Sequence, residues 1–267
     1  MLELLQYQFI QRALVAGVFM GGTLSLLGVF VVLRKSAFFG DAIAHFAFAG
    51  IALGFLFSVN PVVAAVVTSL GLALAMGYIQ NRTPVHTLDT IIGIFFSGAA
   101  ALGIFVIGLL KGYRADLFQY LFGDIIAITL SDVIFSAIIA AGVVIVLFFT
   151  WKPFFKIIFN KEIARISGVR VNLYEYIFLG LLAAVTAVSI KIVGIILVPA
   201  LLVIPAAAAK NISRNFRQMV FYSVVFGVGS VLFGLFGSLY FNTASGATIV
   251  LLSIVLFLVT LMRRGRV

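Results

Sequence analysis

A chain of 267 residues in which 64% are hydrophobic and only 10% are charged has too few polar side chains to cover a soluble globule of this size. The composition therefore predicts an all-α protein that crosses a membrane several times, since lipid leaves the backbone of an open strand unpaired. The net charge of +10 does not indicate a nucleic-acid partner, because the basic residues cluster at alternate ends of apolar runs. The absence of cysteine excludes disulfides, thiolate metal sites and thiol redox catalysis.

Nine apolar runs have about the 17–25 residues that a helix needs to cross the hydrocarbon core of a bilayer. Nine is an upper limit, because the seventh run contains two prolines and is a candidate for a broken or half-crossing helix. Eight to nine crossings are predicted, in a single domain over residues 1–267, since the loops are short. The runs are residues 12–33, 41–58, 61–79, 90–110, 133–151, 173–190, 192–208, 218–239 and 247–262.

The second run begins with Asp41 and His45, in a chain that has only two histidines and eight carboxylates. A charge in a membrane-spanning segment is costly unless it is paired, hydrated or bound to an ion. The spacing of four residues places both side chains on one face of a helix. Because imidazole and carboxylate suit zinc or manganese, the pair predicts half of a metal site, which a two-fold dimer would complete.

Each residue of this pair also has a structural alternative. If the helix starts near Gly40, Asp41 lies in its first turn, where a carboxylate stabilises the exposed backbone amides. His45 could be a neutral imidazole bonded to a neighbouring helix. The sequence leaves these alternatives open.

The segment at about residues 152–172 follows the fifth run and is amphipathic. Its part from Asn160 to Val169, NKEIARISGV, predicts a short helix with Ile163 and Ile166 on one side and charges on the other. Such a helix can dock into a groove on a partner or lie at the membrane surface. The sequence favours neither.

The seventh run is interrupted by Gly194, Pro199 and Pro205. Interrupted helices at membrane depth are tolerated where the backbone lies against protein or a water-filled path. The run therefore predicts a broken pore helix, with Gly194 and Pro205 as the breaking residues. An ordinary proline kink is the alternative.

The distribution of basic residues orients the spans. Placing the C-terminal Arg263 and Arg264 in the cytoplasm puts most of the 18 basic residues on that side. The C-terminus is therefore predicted to be cytoplasmic, and with nine spans the N-terminus lies outside.

The sequence carries no catalytic motif that we recognise. Arg34 occupies the place of the second glycine of a phosphate-binding loop before Lys35 and Ser36, and no H-E-x-x-H sequence is present. We therefore predict that the chain is not an enzyme and moves something across the bilayer.

The stretch from Arg34 to Pro61, RKSAFFGDAIAHFAFAGIALGFLFSVNP, resembles the signature of the membrane subunits of ATP-binding-cassette importers for zinc, manganese and iron. Further segments are similar to the same family in the same order, so the resemblance covers nearly the whole chain. These segments are LDTIIGIFFS from Leu88, LFGDIIAIT from Leu121, EIARISGV from Glu162 and GIILVPALLVIPAAAAK from Gly194.

The resemblance implies a homodimeric permease in a prokaryotic cytoplasmic membrane, with a fold similar to the cobalamin and iron-siderophore importers. It implies two cytoplasmic ATPase subunits and an external metal-binding protein as partners. It implies no tightly bound cofactor, but a transported divalent ion, with zinc first and manganese or iron as alternatives.

Residue roles also follow from the resemblance. It implies that Asp41 and His45 form a transient coordination site in the pathway. It implies that Glu162, Ala164 and Gly168 contact the ATPase and transmit its closure.

Other positions match the family less clearly. Asp89 and Asp124 occupy acidic positions of the family motifs, but a salt bridge, such as one between Asp89 and Arg82, or a helix cap explains them equally well. Asn242 stands where the family commonly has an aspartate, and His86 belongs to no motif.

A secondary transporter that works without an ATPase is the rival interpretation. It would also show intramembrane Asp and His with broken helices, but often with an internal repeat. No repeat is visible in this sequence, and a coupling-type loop is present.

Overall fold

The computed structural model describes residues 6–82, 88–110, 119–121, 123 and 128–264, and the regular secondary structure within these ranges is helical. Asp124 and His86 lie outside the described residues. The helices, numbered in chain order, are α1 (Gln8–Leu33), α2 (Ala37–Leu56), α3 (Pro61–Arg82), α4 (Leu88–Leu109), α5 (Leu130–Phe159), α6 (Lys161–Ile166), α7 (Val171–Val193), α8 (Leu197–Ile212), α9 (Phe216–Phe241) and α10 (Ser245–Arg264).

Eight of these helices are long and apolar enough to cross a membrane, namely all except α6 and α8. The described residues thus agree with the lower end of the predicted range of crossings. The single-domain assignment stays a prediction.

The seventh apolar run is divided at Gly194. This residue ends α7 with a φ of +87°, a conformation that glycine adopts without a steric penalty. The backbone that follows is buried and paired, since the Ile195 N–H donates to the Tyr120 carbonyl at 3.0 Å. A break in a helix at membrane depth is tolerated where the backbone is buried and hydrogen-bonded to protein in this way.

Pro205, by contrast, does not interrupt the helix, because α8 continues through it. Proline has no N–H to bond the carbonyl four residues earlier, which here belongs to Leu201. The Ser25 hydroxyl of α1 donates to that carbonyl instead, at 3.3 Å. The predicted break therefore lies at Gly194 alone, and Pro205 is accommodated by a neighbouring helix.

The centre of the molecule is formed by α1, α2, α7 and α8. Buried residues make up 67% of the most apolar stretch of α1 and of α2, against 22% for α5 and α10. The helices approach most closely at small residues. Gly28 of α1 faces the backbone carbonyl of Leu202 in α8, and Gly227 of α9 faces Ser25 of α1. A methyl group at either position would overlap its neighbour.

An ion pair joins α5 and α7 at the end of the bundle where α5 begins. Lys191 Nζ donates to both carboxylate oxygens of Asp132 at 2.8 Å. Thr129 caps α5 in a reciprocal hydrogen-bonded arrangement with Asp132. This cluster holds the start of α5 against the last turn of α7, just before the break at Gly194.

Candidate functional site

Asp41 and His45 line a cavity of about 670 Å³. The described part of its wall is otherwise apolar and is built by α2, α4, Leu121, the start of α8 and the break between α7 and α8. Among the described residues that line it, Asp41 and His45 are the only ones with ionisable side chains. The other lining residues are Ala37, Phe38, Phe48, Ala100, Ile104, Leu121, Ile195, Ile196, Pro199, Ala200 and Val203.

The helix that carries the pair begins earlier than predicted. Lys35 adopts a left-handed conformation, with a φ of +55°, and the Ser36 N–H bonds back to the Val31 carbonyl at 3.1 Å. This tight turn starts α2 at Ala37. Asp41 is therefore in the second turn, and no acidic residue lies in the first turn. The interpretation of Asp41 as a first-turn cap is wrong.

The two side chains lie close together. His45 Nδ1 is 3.0 Å from the backbone carbonyl oxygen of Asp41 and 3.5 Å from its carboxylate Oδ1. A protonated Nδ1 that donates to the carbonyl leaves the lone pair on Nε2, which is the tautomer that a metal ligand needs. Both side chains are about one-third exposed, at 33% for Asp41 and 30% for His45. The pair is thus reachable from the cavity.

The surroundings of His45 do not match the alternative of a histidine bonded to a neighbouring helix. Its hydrogen bond goes to its own helix, and its ring meets Phe96 of α4 edge-on, with 4.6 Å between the centroids. These contacts fix the orientation of the imidazole. They do not prevent the imidazole from binding a metal ion.

Asp41 and His45 are the two possible metal ligands that one copy of the chain brings together here. Over the described residues, no group of three or more His, Asp or Glu side chains is placed to hold an ion. A carboxylate and an imidazole together suit a divalent transition metal, but two ligands bind it weakly.

The weaker candidates lie elsewhere. Asp89 is exposed in the first turn of α4 and does not line the cavity. No ion pair joins it to Arg82 within the described ranges, and the Arg82 guanidinium lies over the Tyr78 ring at 4.9 Å. Asn242 caps α9 in a left-handed conformation, with a φ of +53°. Asparagine tolerates this conformation, which accounts for an amide at that position.

In the amphipathic segment at about residues 152–172, the residues up to Phe159 belong to α5, and Lys161–Ile166 form the six-residue helix α6. The Asn160 side chain caps it by accepting from the Glu162 and Ile163 amides at 2.8 and 3.1 Å, and Gly168 follows it with a φ of +78°. Glu162 and Gly168 are exposed, as a contact surface requires.

The faces of α6 have different roles. Ala164 is fully buried against Ile157 and Val171, so it anchors the helix to the bundle and does not face a partner, contrary to the sequence interpretation. Ile163 and Ile166 are 62% and 87% exposed. Two isoleucines on the outer face of a short helix fit a docking contact.

A buried carboxylate, Glu175 of α7, was not among the residues singled out from the sequence. It accepts a hydrogen bond from Arg34 and forms an ion pair with Lys161, and these two residues belong to distant parts of the chain. Burial lowers the pKa of the Arg34 guanidinium from its ordinary value, and the charge of Glu175 opposes the shift. The signal that marked Asp41, a carboxylate in an apolar run, applies to Glu175 as well.

Comparisons with known proteins identify the same family over nearly the whole chain. A family model described as the ABC 3 transport family matches residues 6–264. The high-affinity zinc uptake system membrane protein of Haemophilus influenzae is 36% identical over 263 residues, which cover 97% of this chain and 99% of the relative. The manganese transport system membrane protein of Halalkalibacterium halodurans is 33% identical over 255 residues, which cover 96% of this chain and 87% of the relative.

Among solved structures, PsaBC from Streptococcus pneumoniae in complex with a Fab is similar with a TM-score of 0.86. The two chains are 33% identical, and the match covers 96% of this chain and 92% of that one.

Proposed function

Because this chain belongs to the ABC 3 transport family, we propose that it is the permease subunit of an ATP-driven importer for a divalent transition-metal ion. The predicted all-α, multi-pass membrane fold and the resemblance to metal importer permeases are confirmed. The proposed location is a prokaryotic cytoplasmic membrane, with the C-terminus inside.

The observation that carries the proposal is the Asp41–His45 pair in a cavity whose other described lining residues are apolar. An ion that enters this cavity finds one carboxylate and one imidazole nitrogen. Transport requires binding that is favourable enough to admit the ion and weak enough to release it. A site of two ligands per chain meets that requirement, and a second copy across a two-fold axis would add a second pair.

The proposed cargo is zinc or manganese. Relatives named for zinc uptake and for manganese transport are similarly close to this chain. A ligand pair of imidazole and carboxylate suits zinc best, since manganese favours oxygen ligands. Zinc is therefore the first choice. The choice of iron as the cargo is supported by the chemistry of the ligands alone.

Uptake into proteoliposomes tests the function and the cargo together. The purified chain is reconstituted with its ATPase and its external metal-binding protein, and labelled Zn²⁺ is supplied with or without excess Mn²⁺. We expect uptake that requires ATP and that excess Mn²⁺ reduces only partly. Uptake that continues without ATP or ATPase would contradict the importer and favour a secondary transporter.

We assign the ATPase contact to α6. The end of the bundle that carries α6 also carries the ends of α1, α8 and α10, because one cavity joins Leu33, Phe159 and Lys210, and Asn211 bonds to Thr260. The positive-inside rule places this end in the cytoplasm. Glu162, Ile163 and Ile166 then face the ATPase, while Ala164 holds the helix in place.

Gly168 is expected to be sensitive to substitution, because every other residue is strained at its φ of +78°. We expect Glu162→Ala and Gly168→Trp each to lower the metal taken up per ATP hydrolysed by about tenfold, within the range of allosteric coupling energies. Gly168→Ala adds the strain without the bulk and should have a smaller effect. The ratio of uptake to hydrolysis is measured in proteoliposomes, and an unchanged ratio in Gly168→Trp would remove the assignment.

A further inference from the structure

Glu175 joins three segments of the chain through a single oxygen atom. Its Oε1 lies 2.6 Å from Lys161 Nζ and 3.2 Å from Arg34 Nη2. Lys161 is the first residue of α6, Arg34 directly follows α1, and Glu175 lies in α7. The proposed docking helix is therefore bonded through one carboxylate to the turn that leads into α2.

The two partners of Glu175 differ in burial. The side chains of Glu175 and Arg34 are 7% and 16% exposed, whereas that of Lys161 is 47% exposed. Arg34 is also held over the ring of Phe178, a core residue, at 4.9 Å. If Lys161 moves away, the carboxylate still has Arg34 as its counter-charge. The contact with Lys161 can thus break and re-form without leaving an unpaired charge in the interior.

The turn that follows Arg34 is stabilised by hydrogen bonds. The Arg34 N–H bonds to the Phe30 carbonyl, and the Ser36 amide and hydroxyl both bond to the Val31 carbonyl. α2 starts at the next residue, and Asp41 follows one turn later. A displacement of Arg34 is therefore passed to α2 without a flexible linker.

Two cavities lie on either side of the first turn of α2. Phe38 lines the cavity that contains Asp41, while Phe39 lines a second cavity of about 610 Å³ that also contains Lys161 and Glu175. The second cavity gives the Lys161 end of α6 space to move, while Ala164 stays packed against Ile157 and Val171.

We propose that Glu175 and Arg34 are positioning residues for the metal site, with Lys161 as the contact that breaks and re-forms. A shift at the Lys161 end of α6 changes the Lys161–Glu175 contact, and Arg34 carries the change to the start of α2. This inference rests on the proposed function, since it takes α6 as the contact for the ATPase.

Lys161→Met tests the movable contact in the reconstituted complex. We expect the Zn²⁺ or Mn²⁺ taken up per ATP hydrolysed to fall by about tenfold, as for a typical coupling energy. Lys161→Arg keeps the charge and should restore most of the ratio. The matched control is Lys210→Met, which removes an exposed lysine at the same end of the bundle, outside the Glu175 cluster, and should leave the ratio at the wild-type value.

Glu175→Gln tests the fixed part of the cluster, with the amount of co-purified ATPase and the thermal midpoint measured alongside. The inference is overturned if Lys161→Met keeps the wild-type ratio, or if it only lowers the amount of complex recovered. Equal losses in Lys161→Met and Lys210→Met would overturn it too. A failure of the proposed function is distinguishable, because the wild-type complex would then show no ATP-dependent uptake.

Discussion

Replacing Asp41 with Asn, or His45 with Ala, is expected to abolish metal uptake while the complex still assembles. Each change removes one of the two proposed ligands from a cavity whose other described walls are apolar, so no described neighbour can substitute for it. Loss of groups that merely orient a ligand typically costs about 10–100-fold in metal affinity or activity. Loss of the ligand itself should therefore lower uptake by at least about a hundredfold.

Labelled-metal uptake and ATPase co-purification are measured on the same preparations of these variants. Asp41→Glu keeps the carboxylate but displaces it by one methylene, so partial uptake is expected. Asp89→Asn removes an exposed carboxylate outside the cavity and should leave uptake unchanged. Unchanged uptake and metal selectivity in the Asp41→Asn, His45→Ala double variant would refute the site.

The largest loss of stability is expected from Gly28→Ala. The added methyl group would overlap the backbone carbonyl of Leu202, so α1 and α8 would have to separate. A side chain can rotate away from such a clash, but the backbone of a packed helix cannot. Overpacking costs about 1–3 kcal/mol in ordinary cores, and a backbone clash should lie at or above the upper end of that range.

The thermal midpoint of the purified chain in detergent, read by size-exclusion chromatography, measures this effect. Gly71→Ala in α3 is the matched control, because nothing lies within 4 Å of the added methyl group. Alanine is favoured over glycine in a helix, so this control should be neutral or slightly stabilising. Equal midpoints for the two variants would show that α1 and α8 pack less closely than described.

The class of fold and the pairing of Asp41 with His45 could be predicted from the sequence, because both depend on local patterns. Apolar runs must form helices in lipid, and a spacing of four residues defines a helix face. The depth of Asp41 could not be predicted, because the start of α2 depends on the backbone conformation of Lys35 and on a hydrogen bond from Ser36 to Val31.

Contacts between distant residues were beyond the reach of local patterns. Glu175 and Arg34 are 141 positions apart, and only the tertiary structure brings them together. The same reason applies to Pro205, which breaks a helix by local rules. It is tolerated here because Ser25, far away in sequence, bonds the carbonyl that proline leaves free.

The exposure of Ile163 and Ile166 has a consequence for the assembly of the transporter. A helix of six residues has little stability of its own, and these two side chains gain their favourable burial only when a second protein covers them. If the proposed ATPase contact is absent, as in permease made in excess of its ATPase, an uncovered apolar surface remains at the end of the bundle that carries α6. Because chaperones and proteases continuously triage less stable chains, we expect the supply of ATPase to affect how much permease the cell retains.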